Sequence, residues 1–387
     1  MENPQKKSKK RLISNIIFLV LITILVVVFI LSFGEISKIT AQFQEIAKGD
    51  NWKYLLVAIG LFLLFFFLWP ASQCIYGKAL KIEATVGESY LIGCSEHFYN
   101  GITPFAAGGQ PFQIYSYTKR NVSTAKATGV ILASFVTFML VTNAFMFVSL
   151  IFYPQISAGF EAMNIGWIKY VSLIGIIINF IVLLLMIALG TSKAIRNFFI
   201  KLMRKIANWK FFFKKEKGLR RKIGEALQKS VPAFEEYCSN AQTAFKETWS
   251  HKVATIFAIL IKIIAMTAYY AIPFFILKAV GIDITYDKLI TVLFATCFAI
   301  NAVVWMPTPG GSGGIEYAFI IVIAAVTTAD ASDPQAVVLI WRMITYYFIL
   351  ILSFGANAIF EGITSHRLKL ESEEKDASIE TSNEEHQ

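Results

Sequence analysis

The chain has 387 residues, of which 56% are hydrophobic, 14% aromatic and only 16% charged, with a mean hydropathy of +0.58. A soluble domain carries about 25% charged residues, so this composition excludes an ordinary soluble globular protein. The formal net charge is +10, and Cys74, Cys94, Cys238 and Cys297 stand singly without a CxxC pair, which argues against a zinc site or a disulfide framework.

Lys6, Lys7, Lys9, Lys10 and Arg11 form a basic tail (1–11) ahead of an uncharged run at 12–33. That run exceeds the roughly 7–15 apolar residues of a signal peptide. The sequence Phe33-Gly34-Glu35 offers no small-residue cleavage site, so we read a retained first helix. About 20 apolar residues cross a bilayer, and further runs meet that length. Residues 54–77, 127–160 and 170–192 are uncharged, and 127–160 is long enough for a tilted helix plus an external loop. Residues 253–277 hold one charge, Lys262, and 336–360 hold Arg342. Residues 289–315 are uncharged but end in a Gly/Pro-rich break, and 317–329 are too short to cross alone. The moderately apolar stretch 82–118 suits a re-entrant pair of half-helices better than a full crossing.

Two breaks carry the most information. Residues 101–113 read Gly-Ile-Thr-Pro-Phe-Ala-Ala-Gly-Gly-Gln-Pro-Phe-Gln, and 307–316 read Pro-Thr-Pro-Gly-Gly-Ser-Gly-Gly-Ile-Glu. Helix cannot run through either, because Pro lacks the backbone donor and Gly gives up conformational restriction. Broken backbone at membrane depth is tolerated only where it is buried in protein or lines a cavity. A pair of such breaks, one in each half, points to a transporter-like binding site. The expected fold is therefore all-α and polytopic, with about eight membrane-embedded helical segments and two re-entrant breaks.

Basic residues set the orientation. With the N-terminus inside, 28 Lys and Arg fall on the cytoplasmic side and 5 on the outside, so both termini are expected in the cytoplasm. The loop 191–252 alone carries 15 basic against 5 acidic residues, with Trp209, Phe211, Phe212 and Phe213 among them. Basic residues interleaved with aromatics can bind RNA, but no RNA-binding signature accompanies them. Attraction to anionic headgroups, with the aromatics as interfacial anchors, is the better reading. Phe234, Tyr237, Ala241, Phe245 and Trp249 recur at helical spacing and predict an amphipathic surface helix leading into the next span. The acidic tail 366–387 reads as disordered.

A polar ligand carried at membrane depth needs binding and shielding from the apolar surroundings. Half-helix N-termini favour phosphate through their N–H groups and dipole. Around the first break, Thr103, Pro104, Gly108 and Gly109 bring backbone close to a ligand, and Gln110 and Gln113 offer donors and acceptors without a buried charge. Pro309, Gly310 and Gly311 do the same at the second break. The plainer reading is that these residues only close a turn and satisfy its freed backbone groups. Ionisable residues inside spans are functional hypotheses by default. Glu316 and Arg342 are expected to pair, either as a structural tie or with Arg342 holding a ligand phosphate in one state and Glu316 in the other. Lys262 lies too deep to snorkel easily. Glu96 and His97 precede the first break and are candidates for the same cavity, with the histidine more simply a satisfied hydrogen-bonder.

The two broken segments and the position of Arg342 resemble the lysylphosphatidylglycerol synthase transmembrane-region (flippase-like) family over about residues 12–365. The resemblance implies a flippase-like transmembrane domain that moves a polar phospholipid, anionic or aminoacylated, across the bacterial cytoplasmic membrane. It also raises the alternative named by the family, a phosphatidylglycerol lysyltransferase. In bifunctional members aminoacyl transfer resides in a large soluble C-terminal domain, and only about 22 residues follow the last span here, so a stand-alone member is expected. No catalytic residue, metal or cofactor is expected, and nucleic acid is not an expected partner. Membrane phospholipids are the expected partners; a second copy of the chain and a separate lipid-modifying enzyme stay open.

Overall fold

The computed structural model describes residues 44, 46, 50–154, 157, 168–209, 211, 219–303, 308, 314–316, 319 and 334–384. The expected first helix at 12–33, the run 317–329 and most of the second break, including Pro309, Gly310 and Gly311, lie outside the described residues. Every regular element among the described residues is helical. In chain order they are α1 (Trp52–Leu68), α2 (Ala71–Ala79), α3 (Val86–Ile102), α4 (Gly109–Thr118), α5 (Thr124–Ser149), α6 (Ile168–Thr191), α7 (Lys193–Ala207) and α8 (Leu219–Ser250). There follow α9 (Lys252–Ala279), α10 (Leu289–Val303), α11 (Pro334–Arg342), a π-helical stretch (Met343–Phe348) and α12 (Ile349–Glu384). Five stretches are long and apolar enough to cross a membrane: Trp52–Ala79, Thr124–Ser149, Leu173–Thr191, Lys252–Ala279 and Val337–Arg367.

Apolar side chains cover the outer faces of the protein as well as its core. On α9, Val253, Ile256, Phe257, Leu260 and Ile264 lie along one stripe and are 50–69% exposed. On α6, Ile174, Ile177, Ile181 and Leu184 are likewise exposed, while Asn179 turns inward and is buried. Patches of this size exposed to water would drive association; facing lipid they need no cover. The chain is thus a multi-pass membrane protein, apolar on its outer faces as well as in its core, with a few polar side chains such as Asn179 turned inward.

Local signals explain where helices start and stop. Thr85 and Glu88 form a reciprocal capping box that begins α3. Ser123 and Ser192 cap α5 and α7. Pro70 interrupts the first stretch between α1 and α2, so the run read as one helix at 54–77 is two helices in line. Packing centres on α9 against α1, where Phe62, Phe65 and Phe66 meet Met266, Tyr270 and Phe274.

Two segments outside the candidate spans add to the sequence reading. The expected amphipathic helix at 234–249 is the C-terminal half of α8, leads into α9 and packs its apolar face against the start of α5: Tyr237 and Thr128 share a hydroxyl hydrogen bond of 2.9 Å, and Phe245 is 1% exposed. The acidic tail does not leave the helix at 366; α12 continues to Glu384. No Gly or Pro follows Gly362, so nothing in this Glu-rich sequence stops a helix already nucleated by packing.

Candidate functional site

The first break folds as a tight hairpin. Helix α3 ends at Ile102, Pro104–Ala106 form one 3-10 turn, and α4 returns from Gly109. Phe105 and Ala106 sit at φ of 58° and 50°, a left-handed conformation costing about 1–2 kcal/mol per residue. The turn is held by its own polar groups. Thr103 Oγ1 donates to the Tyr99 carbonyl at 2.7 Å and accepts from Gly108 N at 2.9 Å. Asn100 Oδ1 accepts from Gly109 N at 2.9 Å. The N–H groups of Gly108 and Gly109, expected to face a phosphate, are thus bonded within the hairpin. Gly109 has no alternative, because a Cβ there would lie 2.5 Å from Asn100 Oδ1 and 2.7 Å from Glu96 Cγ. At the far end of the hairpin, Arg120 Nε meets Glu88 Oε1 at 3.1 Å, with Arg120 only 2% exposed. The chain therefore enters and leaves at the same end.

Glu96, one turn before Asn100, is the hub of a polar network inside the hairpin. Its carboxylate accepts from Trp69 Nε1 at 2.8 Å, Gln110 Nε2 at 3.1 Å, Gln113 Nε2 at 3.2 Å and Asn100 Nδ2 at 3.3 Å. Gln113 also donates to Gln73 Oε1 at 2.9 Å, and Gln73 donates to Tyr117 Oη at 2.8 Å. Four donors on one carboxylate satisfy its lone pairs, which is what makes a buried charge tolerable.

Lys262 reaches the same place from α9. It is 1% exposed, its Nζ donates to the Trp69 carbonyl at 2.9 Å, and the ammonium sits 3.4 Å from the centre of the Trp69 ring. The helix interruption at Trp69-Pro70 supplies that carbonyl. Lys262, Glu96, Gln110, Gln113 and Trp69 line one recess, closed on its other wall by Phe135 and Phe138. The free space is about 10 Å³, enough for roughly one water. His97 lies beside it among the rings of Phe65, Phe66 and Trp69. Its Nε2 has no hydrogen-bond partner among the described residues, unlike the satisfied histidine expected.

Glu316 and Arg342 meet, with Arg342 Nε 2.7 Å from Glu316 Oε1 and Arg342 only 4% exposed. The guanidinium lies 5.0 Å from the centre of the Tyr346 ring. The pair does not line the recess, but two links join it to the first hairpin. Tyr346 Oη donates to the Gly101 carbonyl at 3.0 Å, tying the π-helical stretch to the break. A chain of packed rings runs from Trp69 through Phe65 and Tyr269 to Trp341, with centroids 5.3, 4.7 and 6.3 Å apart. Thus Thr103, Gly108, Gly109, Gln110, Gln113 and Lys262 converge, and the backbone of Pro104 lies in the same turn. Sequence reasoning did not single out Trp69 or Gln73. The signal was the Trp69-Pro70 step inside an apolar run, which marks a helix interruption with a carbonyl to satisfy.

A helical protein with lipid-facing apolar stripes and a buried polar network at a broken helix is a polytopic membrane protein. The chain belongs to the family described as Lysylphosphatidylglycerol synthase TM region, which it matches over residues 16–353. It is similar to a UPF0104 membrane protein of Archaeoglobus fulgidus, 24% identical over 341 residues that cover 88% of this chain and 94% of the relative. It is also similar to an uncharacterized protein, the MG306 homolog of Mycoplasma pneumoniae, 23% identical over 87% of this chain and 84% of the relative. The MG306 protein of Mycoplasma genitalium is 23% identical over 90% of this chain and 86% of the relative. No solved structure matches the chain.

Proposed function

We propose that the protein moves a polar phospholipid between the leaflets of a bacterial cytoplasmic membrane, with both termini in the cytoplasm. The observation that carries this reading is the recess between α3, α4 and α9. There a fully buried lysine, a carboxylate and two glutamines converge inside a protein whose outer faces are apolar. Burying these groups costs several kcal/mol unless they are used or satisfied. The family's description, which names a phospholipid product, supports a lipid as the ligand. The groups present suit binding and shielding a headgroup; acyl transfer would need a nucleophile set against a base. In this reading the α3–α4 hairpin is re-entrant from the cytoplasmic side. At about 10 Å³ the recess is closed and must widen to admit a headgroup.

The purified protein, reconstituted in liposomes with acyl-chain-labelled phospholipids of several headgroups, tests this. Dithionite bleaching of the outer leaflet should show faster exchange than in protein-free vesicles. Identical rates with and without protein, for every headgroup, would reject the reading.

A further inference from the structure

Lys262 and Glu96 line the same recess with opposite charges, yet they are not bonded to each other. Lys262 Nζ bonds the Trp69 carbonyl, using one of its three N–H groups, while Glu96 is held by four neutral or indole donors. Resting on the transport reading above, we propose that this recess accepts a zwitterionic headgroup, its phosphate on Lys262 and its primary ammonium on Glu96.

Charge balance carries the argument. The empty recess holds one cation and one anion in a site walled by Phe135, Phe138 and Trp69. A headgroup of zero net charge leaves the filled site neutral. An anionic headgroup would leave one negative charge uncompensated at membrane depth, and a net-cationic one would leave a positive charge. Unpaired buried charge is the costly outcome. Lys262 has two N–H groups left for phosphate oxygens. Gln110 and Gln113 present amides that reach Glu96 now as donors. An amide also carries an acceptor oxygen, so the same side chains can pivot to receive N–H groups from an ammonium beside the carboxylate.

The geometry also separates a primary amine from a quaternary one. A choline-type ammonium has no N–H and is recognised on aromatic faces. The face of Trp69 is already covered by Lys262 at 3.4 Å. The contacts around Glu96 are all hydrogen bonds, up to three of which a primary ammonium can replace and none of which a trimethylammonium can.

The test uses the full-length protein in liposomes with acyl-labelled phosphatidylethanolamine, phosphatidylcholine and phosphatidylglycerol, and soluble glycerophosphoethanolamine inside the vesicles in a separate arm. The ethanolamine lipid should exchange about tenfold faster than either of the others. Glu96→Gln keeps the size of the side chain, removes the negative charge and leaves the recess with a net positive charge. It should reverse the preference towards phosphatidylglycerol, with the variant checked for a monodisperse elution profile. Phosphatidylglycerol or phosphatidylcholine moving as fast as phosphatidylethanolamine in the wild type would overturn the proposal. An unchanged ratio in a folded Glu96→Gln protein would overturn it too. Release of the soluble compound without lipid movement would show that the ligand is a free phosphodiester and overturn the lipid assignment. If no lipid moves at all, the transport reading itself fails.

Discussion

Arg342 is a side chain at which stability and the proposed transport can be tested separately. It is buried, its Nε bonds Glu316 at 2.7 Å, and its guanidinium lies against Tyr346. Removing one member of a buried pair leaves the other charge uncompensated, at a cost of roughly 3–5 kcal/mol. Arg342→Ala should therefore lower the apparent unfolding temperature in detergent and abolish lipid exchange. The double variant Glu316→Gln with Arg342→Gln leaves no charge behind and should regain most of the stability. We expect that protein to be folded and inactive. Normal exchange in the double variant would mark the pair as structural only, and additive losses in the two single variants would show no coupling.

At the scale of elements, the critical contact is between a broken helix and a distorted one. The α3–α4 hairpin ends in left-handed Phe105 and Ala106, and α11 passes into a π-helical stretch immediately after Arg342. Wide turns of this kind cluster at functional sites because they re-aim side chains. Here the π-helical stretch delivers Tyr346 Oη to the Gly101 carbonyl, a group freed by the end of α3. The approach is close: a Cβ on Gly101 would lie 2.6 Å from Leu350 Cδ2. Tyr346→Phe keeps the ring and removes the bond, stranding a buried carbonyl at a cost of about 1–3 kcal/mol. The expected result is faster amide hydrogen exchange around 99–109 and a lower unfolding temperature. Unchanged protection there would show that the hairpin is held by its internal Thr103 and Asn100 bonds alone.

For the whole molecule, the basic asymmetry of 28 to 5 predicts which parts lie inside. With native cysteines replaced, a single cysteine at Gly159 should react with an impermeant maleimide added to intact cells, and one at Lys217 should react only after lysis. The reverse pattern would overturn the orientation. Membrane character was legible because it is a property of composition and run length: the stretches at 124–149, 173–191 and 252–279 are uncharged or nearly so over a bilayer's thickness. The first break was legible for a covalent reason, since Pro104, Pro111 and the glycines cannot continue a helix. Lys262, Glu316 and Arg342 stood out because charge is rare in apolar surroundings. What the sequence could not decide was who meets whom. Lys262 joins Trp69 across 193 positions, Tyr346 joins Gly101 across 245, and Glu96 becomes a hub only when α4 folds back on α3. Such contacts follow from helix packing, which no local pattern encodes. For the same reason, only the tertiary structure shows that the Gly108 and Gly109 N–H groups are spoken for and that Lys262 and Glu96 share a recess without bonding each other.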